Sequence, residues 1–334
     1  MQNQKRIEYD TATARAIQNS GDFVMLTLGK SRQITGCLYA CLAMCLFSAA
    51  AMGQSERTVG SDEVIVGKIN EFIRQGWKDN EVGPSARADD AKFARRVSLD
   101  IVGHIPSYTD LMAFLEDESP DKRAKFIDNL LDDEDYIKNW TNIWGNLLIG
   151  RANNRNNRGA RGPLDRFLRA SLNRNIPYDE FVFELVSAEG TSNTNGAVAF
   201  LSSHLNEGAV PATSITSRVF LGMQVQCTQC HNHPFNNWQQ SQFWSMNAFF
   251  RGTRRGGGGQ NGPIQLQDNP STDMVRFEKR NGTTKAAFRK FVDGTNVKNK
   301  QLVDGLLVDK GDIKPRLELA KLITDPEQPY MART

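Results

Sequence analysis

Beyond residue 60 most of the chain repeats apolar residues every three or four positions, the spacing of a helix with one buried face. Ile65, Ile69, Phe72, Ile73 and Trp77 form such a stripe, and Pro84 closes the segment. Asp89 sits where a cap would start a second helix carrying Phe93, Val97 and Ile101, which must end before Pro106. A short helix follows near Thr109–Asp117. Ser119-Pro120 reads as a cap and first helical position for the stretch "DKRAKFIDNLLDD". The next helix spans Tyr136–Leu148, with Trp140, Ile143, Trp144, Leu147 and Leu148 as its inward stripe. Further helices are predicted over Leu164–Leu172, Tyr178–Val186, Pro211–Val225 and the stretch "NNWQQSQFWSMNAFF", where Phe243, Met246, Ala248 and Phe250 turn partly inward.

Polar stretches punctuate this pattern. Arg151–Gly162 ("RANNRNNRGARG") has no periodicity and reads as a loop, and Glu189–Gly196 reads as a turn. Arg251–Pro263 ("RGTRRGGGGQNGP") lacks the strand and helix spacing of a phosphate-binding loop and is expected to be a linker. After it come three short candidate strands, Ile264–Leu266, Met274–Glu278 and Phe288–Val297, and a last helix from Pro315 carrying Leu317, Leu319, Leu322 and Ile323. No βα alternation or internal repeat is present. The predicted class is mainly α, with a small β-containing C-terminal part.

The first 53 residues are of another kind. Ile34–Gly53 ("ITGCLYACLAMCLFSAAAMG") is an uncharged apolar run behind Lys30 and Arg32, and Ala51-Met52-Gly53 suits a signal peptidase. Residues 1–53 therefore read as a leader with a start at Met25, and the protein is expected to be exported, to a periplasmic or cell-surface location. An uncleaved leader would be its one membrane attachment. The chain carries a formal charge of +3. Without the leader, 36 Lys and Arg face 35 Asp and Glu, so no general basic field exists to recruit nucleic acid. Cys37, Cys41 and Cys45 leave with the leader. Only Cys227 and Cys230 stay, too few for a disulfide scaffold, so the core must hold the fold.

Both remaining cysteines fall in "CTQCHNHPF", Cys227–Phe235, together with two of the four histidines. Cys227, Cys230 and His231 form CxxCH, the arrangement in which two thiols attach haem c by thioethers and the imidazole binds its iron. Export and the motif support each other, because haem c is attached outside the cytoplasm. Met246, Met274, Met223, His204 and His233 are candidates for the sixth iron ligand. A second reading places zinc or another divalent ion on Cys227, Cys230, His231 and His233, or on the two histidines with distant carboxylates. Against the four-ligand form stands the crowding of all its donors into seven residues. A third is a CxxC disulfide, without the βαβ context of a redox motif. The metal-ligand candidates across these readings are His231, His233 and Met246. The first reading implies electron transfer with a redox partner protein. The alternative function is a secreted domain with a non-haem metal or disulfide site in adhesion or carbohydrate-related work. Ser202, Ser203 and His204 adjoin in sequence, which is no triad, and Glu189 is a candidate buried carboxylate near the motif.

The stretch "VQCTQCHNHPFNNWQQSQFWSMNAFF" resembles the signature of the planctomycete cytochrome-c-like domain of unknown function, in which a CxQCHxHPF core precedes a tryptophan and an aromatic-rich helix. Cys227, Gln229, Cys230, His231, His233, Pro234, Phe235, Trp238 and Phe249-Phe250 carry that likeness. "FIRQGWKDNEVGPSARADDAKFARRVSLDIVGHIPS" and "SPDKRAKFIDNLLDDEDYIKNWTNIWGNLL" resemble the family's opening and middle, so the likeness runs from about residue 64 to 254. Family members more often carry Asp where this chain has Asn232 and Asn236. The resemblance implies cytochrome character and a helical domain over 61–251, without supplying a reaction. "LELAKLITDPEQPYMART" resembles the opening of a second domain of unknown function, so 252–263 is expected to link to a truncated second domain over 264–334. If Met25 is the initiator, peptide mass spectrometry of the native protein finds no peptide from residues 1–24.

Overall fold

The computed structural model describes residues 62–151, 159–257, 262–269, 274–298, 300–303, 306–309 and 313–333. The leader, the Met25 start and most of the Arg151–Gly162 loop lie outside the described residues. The chain divides into two compact units, Met1–Ala86 and Arg87–Thr334.

In the first unit the helix α1, Asp62–Asp79, forms as its periodicity predicts. Its apolar stripe does not turn inward. Ile65, Ile69, Phe72, Ile73 and Trp77 are all exposed, Phe72 at 71%. Amphipathic spacing makes a helix, but burial needs a second surface that spacing cannot supply. Among the described residues no helix is long and apolar enough to cross a membrane.

The second unit opens with α2 (Asp90–Ile101), α3 (Tyr108–Glu116), α4 (Lys122–Leu131) and α5 (Glu134–Ile149). Asp89 caps α2 as expected, accepting from the Lys92 amide. Ser119-Pro120 does not start α4; the helix begins at Lys122, behind a turn in which Asp117 accepts from the Ser119 amide. Phe93, Phe114 and Phe126 stack between α2, α3 and α4, and Arg123 lies over Phe93 while pairing with Asp90. On α5, Leu148 is buried and Trp144 packs on Phe181, whereas Ile143 and Leu147 stay exposed. The helical stripe is thus narrower than its apolar sequence.

The chain continues through α6 (Arg161–Asn173), α7 (Tyr178–Ser187), the short strand β1 (Gly190–Thr191), α8 (Val198–Ser202) and α9 (Asn206–Phe220). Glu207, Gly208 and Ala209 are left-handed (φ 52, 68 and 63), so the regular part of α9 begins beside Pro211. Gly208 also lies where a Cβ would collide with the Arg251 guanidinium. The helix stops at Phe220 rather than Val225. Gly222, at φ 64, reverses the chain and lets the Met223 amide return to the Ser217 carbonyl.

Then come a 3-10 turn (Gln226–Gln229), α10 (Gln240–Asn247), β2 (Thr253–Gly257), β3 (Ile264–Asp268), β4 (Met274–Glu278), β5 (Thr284–Phe288), β6 (Lys300–Val303), β7 (Leu306–Asp309), α11 (Pro315–Ile323) and α12 (Pro329–Ala332). The predicted class holds: the fold is mainly α with small sheets. β3 is the centre of an antiparallel sheet of order β1-β3-β2, and β4-β5 and β6-β7 are hairpins. Part of the segment expected as a linker is therefore strand, since Thr253–Gly257 pairs with Ile264–Asp268. A strand predicted over Phe288–Val297 lies instead at Thr284–Phe288, and Asp293-Gly294 forms a turn in which Asp293 accepts from the Thr295 amide.

One apolar cluster joins helices and sheet, with Leu148, Leu164, Leu185, Phe200, Phe220, Met246 and Phe249 meeting Ile264, Leu266, Phe291, Leu319 and Ile323. Inside it the fully buried Arg316 donates through Nε to Asp268 Oδ1 (2.6 Å) and through Nη1 to the carbonyls of Val186 (3.3 Å) and Ala188 (2.5 Å). Removing one partner leaves a buried charge uncompensated. Asp268→Ala is expected to cost about 3–5 kcal/mol in urea unfolding, and the double variant Arg316→Met/Asp268→Leu less than that, because it leaves no charge behind.

Candidate functional site

The motif is presented by a turn whose geometry follows from its sequence. Thr228 is fully buried, and its amide and hydroxyl both donate to the Val225 carbonyl, at 2.9 and 2.6 Å. With Thr228 pinned inward, Cys227 and Cys230 are exposed and unbonded to each other. Cys227 lies inside the 3-10 turn and Cys230 follows at its end, so the two-residue spacer keeps both thiols at the surface.

Two side chains of α10 hold this turn. The Gln229 carbonyl accepts from Gln240 Nε2 (3.1 Å) and from the Trp244 indole (3.1 Å). Gln240, nearly buried, also donates to the Glu278 carbonyl (3.0 Å), which ties the β4–β5 hairpin to the motif. Trp244 stacks on Phe277 of that hairpin at 5.9 Å. Neither residue was singled out by sequence reasoning. The tryptophan-rich stretch signalled a core helix, and nothing in its spacing marked which polar atoms would turn back to the motif.

The two histidines differ. His231 is exposed, and its Nδ1 lies 2.6 Å from the Asn232 carbonyl. A carbonyl only accepts, so Nδ1 carries the proton and the neutral ring keeps its lone pair on Nε2. His233 has the opposite arrangement. Its Nδ1 accepts from the Phe235 amide at 3.2 Å, which puts the proton of the neutral ring on Nε2. The His233 amide donates to the Trp238 carbonyl (2.7 Å) and closes the loop. Asn232 Oδ1 accepts from the Gln240 amide and Asn236 Oδ1 from the Trp238 amide, both at 3.0 Å. An aspartate makes these same bonds, so Asn and Asp are interchangeable in the loop's architecture.

Of the other ligand candidates, Met246 is buried in the main apolar cluster while His231 is exposed, and the two share no common surface. Met223 is half-buried beside Val225 and Phe243, and Met274 opens β4. Phe235 is 93% exposed and Phe243 fully buried beneath the site; Trp238 is half-buried. Trp238 borders a cavity of about 160 Å³ with Gln242, Ser245 and Lys290–Gly294. Among the described residues no three His, Cys, Asp or Glu side chains gather as a metal site.

Elsewhere the sequence candidates serve structure. Ser202 and Ser203 both donate to the Ala199 carbonyl, and His204 Nε2 donates to the Leu148 carbonyl (2.7 Å) at the end of α5. Glu189 pairs with Lys314 at 2.6 Å. A cavity of about 560 Å³ among α2, α3 and α4 is bordered by His104, Ser107, Asp110, Phe114 and Phe126. His104 there faces two acceptors, the Ile105 carbonyl (2.9 Å) and Asp135 (3.0 Å), and that carbonyl, with Asp135, holds its pKa above the ordinary value.

The turn, its pinned threonine and the helix behind it define a mainly helical domain that offers two thiols and an imidazole to solvent. Residues 68–255 match the family described as "PSCyt2: Protein of unknown function (DUF1549)", and the chain belongs to that family. No curated protein and no solved structure matches it.

Burial, aided by the nearby positive charge of Arg218, pushes the His204 pKa below its usual 6.5, against the opposing bond to Leu148. The unfolded chain then takes up this proton first, so the stability it contributes is present above pH 6.5 and lost as the pH falls through the folded value. As the pH falls below that value, the melting temperature of the protein is expected to drop more than that of His204→Gln. The opposite contribution of His104 is common to both and cancels in the difference.

Proposed function

We propose that the Cys227–His231 turn is a covalent haem-attachment site and that the protein is an exported electron-transfer domain. The observation that carries this reading is the His231 tautomer. Its Nδ1–H is committed to the Asn232 carbonyl, which leaves Nε2 as the donor atom, the state an axial imidazole needs. Two free, exposed thiols three residues apart precede it without a break. Cys227 and Cys230 would each add across a vinyl group, and His231 would bind the iron. The bound haem supplies a one-electron Fe(III)/Fe(II) couple.

The protein's own contribution is positioning. Thr228 faces inward and keeps both sulfurs outward, and Gln240 and Trp244 fix the intervening carbonyl so that the turn does not reorganise when its thiols react. For the sixth position, His204 is committed to the Leu148 carbonyl and Met246 to the core. Of the remaining candidates Met223, half-buried beside Val225, is the better placed; His233 lies only two residues beyond His231, too near to reach round, and its Nδ1 is held by the Phe235 amide.

The test is an absorption spectrum and a denaturing haem stain of the chain exported beside a cytochrome c maturation system. A Soret band and stain that survive denaturation are expected, and Cys227→Ala/Cys230→Ala should abolish the stain while leaving the circular dichroism unchanged. A colourless unsubstituted chain overturns the proposal, and metal analysis of the same sample then separates a cation on His231 and His233 from a bare disulfide.

A further inference from the structure

The chain is nearly neutral without its leader, but its charge is not evenly spread. Between residues 274 and 298 six exposed basic residues, Arg276, Lys279, Arg280, Lys285, Lys290 and Lys298, face two acidic ones, Glu278 and Asp293. None of the six is held in an ion pair among the described residues. Such an excess is usually only a solvated face. Here its position argues for more.

The Glu278 carbonyl receives the same Gln240 amide group that holds Gln229 between the two cysteines. The turn carrying Lys279 and Arg280 is therefore one side chain away from the motif. Lys285 is the β-sheet partner of Phe277, so it shares the hairpin face on which Phe277 stacks against Trp244. Lys290 borders the cavity under Trp238, on the motif's other loop. From His231 to Gln239 that loop has no acidic or permanently cationic side chain, and it lifts Phe235 into solvent at 93% exposure. Phe235 is thus an apolar contact point on the loop of the reactive turn, and the basic hairpin is tied to that turn through Gln240.

We infer that this face docks an acidic redox protein, and that Lys279, Arg280 and Lys285 steer it onto the Cys227–His231 turn. The inference rests on the haem reading of that turn. Redox encounters are small and transient, and long-range charge raises their association rate while salt screens it. An acidic partner surface complements this patch, and a small apolar area there would seat Phe235.

The test compares the full chain with Lys279→Glu/Arg280→Glu/Lys285→Glu, and with the milder Lys279→Gln/Arg280→Gln/Lys285→Gln should the reversal impair folding. Reduced protein is mixed with anionic hexacyanoferrate(III) or cationic tris(phenanthroline)cobalt(III). One electron leaves Fe(II), which becomes Fe(III), and the oxidant's metal gains it; no proton moves. The anionic oxidant is expected to slow roughly tenfold from low to physiological salt, and the charge reversal to remove or invert that dependence. Independently of haem, the unsubstituted chain should elute from immobilised poly-L-glutamate at higher salt than either variant. A red chain whose kinetics and retention ignore these substitutions overturns this inference alone. A colourless chain overturns it together with the haem reading. Variant-sensitive binding to phosphatidylglycerol vesicles, with kinetics that ignore oxidant charge, would assign the patch to a membrane surface and overturn it too.

Discussion

A fully buried guanidinium sits where the helices meet the sheet, and its bonds through Nε and Nη1 tie together distant parts of the second unit. Arg316 has no solvent to turn to, so α11 must bring it to a carboxylate, which Asp268 provides at the end of β3. Its Nη1 reaches the carbonyls at the end of α7, which α7 cannot satisfy within itself. Thr253 of β2 donates to the same Asp268 oxygen. One charge thus couples a C-terminal helix, two strands and a helix end far apart in sequence. Ionic pairs of this kind add little net energy over apolar packing, but a mispaired alternative is costly, so they select one arrangement.

That arrangement decides where the motif can be. α10 is joined to β2 by the short turn 248–252, so the register of β2 against β3 restrains where α10 lies, and with it Gln240 and Trp244. These two residues reach back to one carbonyl between the cysteines. The site is accordingly a surface turn held from beneath, in which the reactive atoms face out and the positioning bonds face in. His231 and His233 show how little separates a donor-ready imidazole from a committed one. Two residues apart, they hold opposite tautomers because one ring faces a carbonyl and the other an amide.

Much of the helical architecture was legible as spacing. The cap at Asp89, the course of α5 to α7 and the start near Pro211 followed from local preferences that tertiary contacts did not override. The misreadings share a cause. Exposure of the α1 stripe, and of Ile143 and Leu147 on α5, depends on whether a second surface arrives, which periodicity cannot report. The glycine-rich stretch after Arg251 has the composition of a linker, yet pairing with Ile264–Asp268 makes a strand of its first part. Gly222, by contrast, was an available stop signal for α9.

CxxCH, with its spacing and its place as the only cysteines beyond residue 45, was determined by sequence alone, because thiol separation along the chain is covalent. The family was legible in the sequence as well, and residues 68–255 match its model. Which imidazole nitrogen carries the proton, which candidate methionine is sealed in the core, and which amide grips the turn were decided only by tertiary structure. The tautomers follow from how the loop folds onto its own backbone, the burial of Met246 from core packing, and the grip on the turn from Gln240, eleven residues on; none of these contacts is fixed by covalent spacing, because hydrogen bonds and packing act over ångströms rather than along the sequence.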